Sequence, residues 1–553
     1  MKAVEYSQGV KNPSGESFKN KCFRWTHNVI LVLSCCIVLY SLCANAFLPL
    51  QDYPQWLFQS KVLHQYLIGN SDWSVYYTVD WFPLPPNLLV TLMLASLQFL
   101  VPVLAAGRLF LIFYAVLFVF GWYYLFSVHH AWHPLRWLGL VFVQNHFFYL
   151  GFLSYELGLA LLMIAAGWLS SRNDLMSRQT ACGLFFISMV LFAAHVIAVG
   201  LFGIAVLIVL FLEYKRSGII AWKIIIAILP SLVFVLIFLM NSRCGHGATF
   251  YPSLWIQILN GRYAIHVFNR LLPIAQKIPL SFLNAVVELF ILGLGIVSYK
   301  KKWIDRHIPL FLAVAVLSMF MTIALPFSQI GEFGDINKRF VLPAVVFFFA
   351  SQHWISRHRA VELAVVVLGL MAACMHQEQF ASFDQEAKKI NADVQGCIRM
   401  ENECIFVNRG FADEYDQRTS KIFSGIIRPL LHFQWYYNLD QPQKSTQSFE
   451  TGLVHLRKNN LITIPFDAEQ MFHDGCTSTQ AVPLLQNRLE NNDIKRSTFI
   501  LIGTPSSLSI LQKAFSCGYS PKPVISEYVK IFAANDSVKN DSSSYIDVDK
   551  SFH

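Results

Sequence analysis

Apolar runs close to 20 residues long, separated by short polar clusters, recur from Val29 to about Cys374 and then stop. A run of that length crosses roughly 30 Å of hydrocarbon as a helix, with every backbone group bonded inside the segment. The pattern predicts spans at 28–49, 87–105, 108–127, 137–150, 153–170, 181–195, 197–213, 222–240, 281–298, 308–326, 339–355 and 361–376. As one helix the stretch Ala181–Leu212 would be about 48 Å long, too long for a single crossing, so it reads as a hairpin turning near His195. Pro83, Pro85, Pro86 and Pro102 interrupt the 87–105 segment, and Trp81 and Phe82 suit an interface. That segment is therefore expected to be membrane-associated or re-entrant, which keeps all later loops on consistent sides.

Beyond Gln377 the pattern changes to strand-like runs alternating with polar or helical stretches: Ile405-Phe-Val, Leu461–Ile464, Phe499–Gly503 and Val529–Phe532. The expected fold is an α-helical polytopic membrane protein of about 11–13 spans with a C-terminal extracytoplasmic α/β domain. Its expected parts are a cytoplasmic segment 1–27, a membrane domain 28–376 with a first external loop 50–86, a soluble domain 377–534 and a disordered Asp- and Ser-rich tail 535–553.

Composition agrees: 55% of residues are hydrophobic, 14% are charged and the mean hydropathy is +0.46, which leaves too little charged surface for a soluble enzyme. The formal charge of +9 does not point to nucleic acid, because the basic residues sit in short clusters between apolar runs, as positive-inside loops do. That rule puts 128–136, 171–179, 214–223, 299–307 and 356–360 inside, and 50–86, 241–280, 327–338 and the C-terminal domain outside. The first apolar run follows 27 polar and basic residues and is expected to be an anchored span rather than a cleaved signal. Cys397, Cys404, Cys476 and Cys517 permit disulfides outside the cytosol, and buried thiols fit them equally. The group His129, His130 and His133 lacks zinc-finger spacing, and Gly503-Thr-Pro-Ser-Ser lacks a phosphate loop's Gly-Lys-Ser/Thr ending.

Four places carry candidate chemistry. Asp52 stands where the first span leaves the membrane, ahead of an apolar stripe of Trp56, Leu57, Leu63 and Leu67 suited to the interface. Partly desolvated there, it can act as a general base or a divalent-metal ligand; alternatively it caps the helix begun by Tyr53-Pro54. Glu156 is an ionisable group within an apolar stretch, costly unless paired or facing a cavity, and its alternative is a water-exposed turn. His195, at the hairpin apex, can reach a lipid phosphate or a sugar, or can be a satisfied structural histidine. Arg339 offers a fork of donors for phosphate oxygens and Lys338 a second charge, with snorkelling to headgroups as the bland alternative.

The Asp at the outer end of the first span, the interfacial segment after it, Pro85-Pro86 before the next run and Gly107-Arg108-Leu109 opening another resemble the GT-C superfamily of polytopic glycosyltransferases. Asp52-Tyr53-Pro54-Gln55-Trp56-Leu57 resembles the Asp-x-Pro-x-His-Leu opening of bacterial members of that superfamily, with Gln55-Trp56 departing from it. The resemblance implies a bacterial inner-membrane enzyme that takes a sugar from a polyprenyl-phosphate carrier, with membrane lipid as its surroundings. It also implies that Asp52 is the base or metal ligand toward the acceptor and that Arg339 holds the carrier phosphate. Glu156 falls where the family often has an acidic residue, but the family's acidic pair is not reproduced, so a divalent cation stays an open cofactor. Two other classes remain: a transporter or lipid flippase, expected to show paired charges deep within several spans, and a non-catalytic scaffold with an external binding domain.

Overall fold

The computed structural model describes residues 18–79, 81, 84–129, 132–172, 174–241, 278–324, 337–354 and 358–400. Of the C-terminal part it describes 404–409, 436, 439, 450–451, 454–456, 498–503, 519–522, 524 and 529–534. The expected strand at Leu461–Ile464, the 535–553 tail, Cys476 and Cys517 lie outside these residues, as do the side chains of Lys338, Cys397 and Cys404.

The protein is an α-helical polytopic membrane protein. Helix α1 (Phe18–Ala44) starts ten residues ahead of the expected span, since no Gly or Pro interrupts Phe18–His27. Its C-terminal end is closed by Arg108, which donates to the carbonyls of Cys43 (3.2 Å) and Asn45 (3.2 Å). Helix α2 (Tyr53–Leu67) has Pro54 in its first turn, where a missing N–H costs nothing, and buries Leu57, Phe58, Val62 and Leu63. It packs on α4 (Leu88–Leu97) after the short α3 (Ser71–Tyr76) and strand β1 (Tyr77–Val79). With 10 residues, α4 spans only about 15 Å, half of the hydrocarbon thickness. It is not a full crossing, as the prolines suggested.

Helix α5 (Val103–Ser127) is a full-length span; the segment 137–150 is not the helix that its apolar run predicts. It forms two single turns, α6 (Gly139–Phe142) and α7 (His146–Tyr149), and every residue from Leu138 to Gly151 is buried. Broken backbone at membrane depth is tolerated only where protein covers it. Here α5 and the last long helix do so, the latter through Gly369, which lies against Leu140.

Helices α8 (Leu153–Ser170), α9 (Arg178–Ala194), α10 (Val196–Ser217) and α11 (Trp222–Asn241) follow. The break between α9 and α10 falls on His195, which leaves helical geometry at φ −168°, ψ 135°. Then come α12 (Ile278–Lys300), β2 (Ile304–His307), α13 (Pro309–Ala324), a 3₁₀ turn (Asn337–Phe340), α14 (Val341–Ala350), β3 (Gln352–Trp354) and α15 (Arg359–Met400). Among the described residues, five helices are long and apolar enough to cross a membrane: Cys22–Ala44, α5, α8, α10 and Arg359–Gln395. The shorter apolar helices α9, α11, α13 and α14 pack among them.

Helix α15 carries the chain unbroken past Gln377, where the soluble part was expected to begin. Its 42 residues reach about 63 Å. The polar extension holds because Phe380, Phe383, Ala387, Ile390 and Val394 recur every three or four residues and are buried.

The loops sort into two groups. On one side β2 pairs with β3, His133 meets Trp354 edge-on, His129 meets Phe311, and Arg136 reaches Glu362 at 3.6 Å. Lys223 likewise donates to Met176 O (3.0 Å). These are the loops that the basic clusters assign to the inside. Of the segments assigned to the outside, the first loop and the C-terminal part meet: β1 pairs with β6 (Val454–Leu456), itself paired with β5 (Glu450–Thr451), so the two are joined edge to edge. The remaining C-terminal strands, β4 (Cys404–Arg409), β7 (Thr498–Gly503), β8 (Tyr519–Lys522) and β9 (Val529–Ala534), form a sheet in the order β4-β7-β9-β8, with β4 and β7 parallel.

The grouping fixes relative sidedness and makes a prediction. In a cysteine-free background, Ser74→Cys should react with a membrane-impermeant maleimide on intact cells, and Ser217→Cys only after permeabilisation. The reverse pattern would invert the orientation.

Candidate functional site

The segment that ends in Gly151 builds the site. Gln51 N–H donates to Tyr149 O (2.9 Å), Asp52 N–H to Leu150 O (3.2 Å) and the Trp56 indole to Gly151 O (2.9 Å). Gly151 sits at φ +77°, where a side chain costs roughly 1–2 kcal/mol, and a Cβ there would lie 2.6 Å from Asp52 N. Only glycine lets the two strands of backbone approach this closely. A second close approach, Gly107 against the Tyr53 hydroxyl, seats the start of α2 on α5.

Asp52 precedes α2 but its side chain makes no capping hydrogen bond to that helix. Gln51 Nε2 lies 3.4 Å from its carboxylate. Part of its surface is open, yet it lies deep among protein atoms in the loop between α1 and α2. Burial pushes the carboxyl up to about 7, against the opposing pull of the Gln51 hydrogen bond and the Arg339 charge. A carboxyl poised there can take or give a proton near neutrality.

Arg339 comes from the 3₁₀ turn ahead of α14. Its carbonyl accepts from the Tyr155 hydroxyl (2.6 Å), and its guanidinium lies 4.4 Å from the centre of the Phe152 ring. Its Nη1 is 3.3 Å from His195 Nε2. His195 ends α9 and opens α10: its Nδ1 accepts from Ile197 N–H (3.2 Å), so it caps α10, and Tyr155 packs edge-on against its ring. Gly158 makes room for it, since a Cβ there would lie 2.9 Å from His195 Cβ.

Thus His195 and Arg339 meet directly, and the Arg339 charge acts on the Asp52 carboxyl, although the three residues come from segments far apart in the chain. Glu156 faces elsewhere. It is fully buried, and its Oε2 meets the Tyr114 hydroxyl (2.6 Å) and Asn145 Nδ2 (3.0 Å). Lys338 belongs to the same 3₁₀ turn as Arg339. Among the described residues, no three His, Cys, Asp or Glu side chains come together as a metal-holding group.

Sequence reasoning passed over Phe152, Tyr155, Gly151 and Asn145. The first two precede Glu156 in a stretch already conspicuous for its carboxylate, and aromatic residues gathered beside a buried ionisable group are the signal that would have found them.

No family model matches the chain, and no curated protein matches it. Among solved structures, the chain is similar to ArnT from Cupriavidus metallidurans, crystallised bound to undecaprenyl phosphate. That match covers 93% of this chain and 99% of the other at 13% identity and a TM-score of 0.38.

Proposed function

We propose that the protein is a membrane glycosyltransferase that moves a sugar from a polyprenyl-phosphate carrier to an extracytoplasmic acceptor. The observation that carries this reading is Asp52, a carboxyl poised near neutrality and acted on by the charge of Arg339, which itself contacts His195. A general base and an oxyanion-holding cation in partly desolvated surroundings are what displacement at an anomeric carbon requires.

The Arg339–His195 contact supports an anion there on separate grounds. Arginine only donates, and Ile197 N–H also donates to the ring, so both His195 nitrogens face N–H groups. A neutral imidazole has one acceptor nitrogen and cannot satisfy both. An anionic oxygen between Nε2–H and the guanidinium resolves the conflict, accepting from each.

In this mechanism Asp52 takes the proton of an acceptor hydroxyl or amine as that atom bonds to the anomeric carbon. The bond from that carbon to the carrier phosphate breaks in the same displacement. The electron pair leaves on the phosphate oxygen, where Arg339 and His195 hold the charge, and Lys338 adds a second positive charge from the same turn. The strands joined to the first loop through β1 and β6 help choose the acceptor.

In membranes at equal expression, Asp52→Asn should lower transfer of labelled sugar from a panel of polyprenyl-phosphate donors by about 10²–10⁴-fold, and Arg339→Ala by at least about 10-fold. Both variants transferring at the wild-type rate would remove the assignment.

The pH dependence has a defined sign. Asp52 must be ionised to act as a base, so kcat/KM should rise with pH through a midpoint near 7. Arg339 favours the carboxylate, so Arg339→Gln should move that midpoint upward. A midpoint unmoved or lowered in this variant would show that the titrating group is not Asp52.

A further inference from the structure

Asn145 uses every hydrogen-bonding position of its side chain inside the fold. Its Oδ1 accepts from Phe147 N–H (2.8 Å) and Phe148 N–H (3.3 Å), and its Nδ2 donates to Phe142 O (3.0 Å) and Glu156 Oε2 (3.0 Å). Two acceptor and two donor positions are filled, so one orientation of the amide fits. Tyr114, also bonded to Glu156, lies 2.9 Å from Val143 O through its hydroxyl. The backbone is thus held at Phe142, Val143, Phe147 and Phe148, and one residue later Tyr149 O and Leu150 O receive the N–H groups of Gln51 and Asp52.

We propose that Asn145, held by Glu156, whose same oxygen Tyr114 also meets, is a positioning residue that sets the turn on which Asp52 is hung. The proposal rests on the reading of Asp52 as the reacting base, and it gives Glu156 a role at one remove from the substrate. Single-turn helices have little stability of their own, and α7 is four residues long. Its geometry has to come from side chains, and Asn145 supplies both bonds at its N-terminal end. A fully satisfied polar network at this depth is rigid, because each alternative leaves a buried polar group unpaired. Glu156 is the part that holds the network to α8, the helix whose neighbouring Tyr155 touches Arg339 and His195. One helical turn of α8 therefore references the Asp52 turn on one face and the Arg339–His195 pair on the other.

The test is hydrogen exchange, read by mass spectrometry on the full-length protein in lipid nanodiscs, over segments 48–57 and 146–152. Asn145→Ala and Glu156→Leu should speed exchange of the Gln51 and Asp52 amides by about tenfold while segments in α9 and α10 stay unchanged. In the same variants, transfer from a polyprenyl-phosphate-linked sugar should fall in kcat with KM within about twofold. Glu156→Gln keeps a carbonyl acceptor at that place and should restore both readings. If Asn145→Ala does not fold, Glu156→Leu carries the test, since an apolar side chain of similar size commonly replaces a buried ionisable one. Unchanged exchange at Gln51 and Asp52 in a folded variant overturns the proposal, as does an unchanged kcat with exchange accelerated. Faster exchange in a protein whose Asp52→Asn variant transfers sugar at the wild-type rate keeps the positioning role and removes the catalytic reading.

Discussion

A backbone that leaves helical geometry inside a membrane must find every hydrogen bond within the protein, and the segment 137–151 lives under that constraint. Its apolar composition would let it run as a plain span. Instead it breaks into two single turns, and the freed groups are met by Asn145 and Tyr114 and by the N–H groups at the start of α2. Those last donors belong to Gln51 and Asp52. The solution to a solvation problem thus places a carboxylate, and the tight contact at Gly151 sets how closely.

The same low dielectric that forbids loose backbone also acts on the charged groups beside it. Asp52 is desolvated enough to prefer its proton near neutrality and yet stands close enough to Arg339 to lose it. Arg339 in turn is placed by its carbonyl bond to Tyr155 and by the Phe152 ring beneath its guanidinium, so its donors are aimed before any ligand arrives. Phe147 packs against both Phe152 and Tyr155, so the α7 turn and the start of α8 share one aromatic cluster.

Much of this was readable from the chain. The break at His195 followed from a run too long for one crossing, and the prolines around 83–102 correctly withheld a full span from α4. Asp52 and Arg339 stood out as a carboxylate and a fork of phosphate donors at the ends of apolar runs. Three features were not readable. The 137–150 run carries the apolar signal of a helix, and only its tertiary surroundings pay for breaking it. The extension of α15 beyond Gln377 has a stripe too narrow to raise local hydropathy, so a polar composition hid a continuous helix. The orientation of Glu156 depends on a rotation of one residue around α8, about 100°, which separates the Tyr155 side from the Tyr114 side.

The two carboxylates accordingly stand in different surroundings. Asp52 keeps an open surface and a cation, the two conditions under which a proton can leave and return. Glu156 is sealed, bonded to a hydroxyl and an amide, and its Oε1 finds no hydrogen-bond partner among the described residues. A group in that state has no route for proton exchange with a substrate, but it has every reason to keep its neighbours in place, because any movement of Asn145 or Tyr114 would leave it still less satisfied. An ionisable residue in an apolar run therefore signals that something is held there. Whether it acts on a ligand or on the backbone is decided by which side of its helix it occupies.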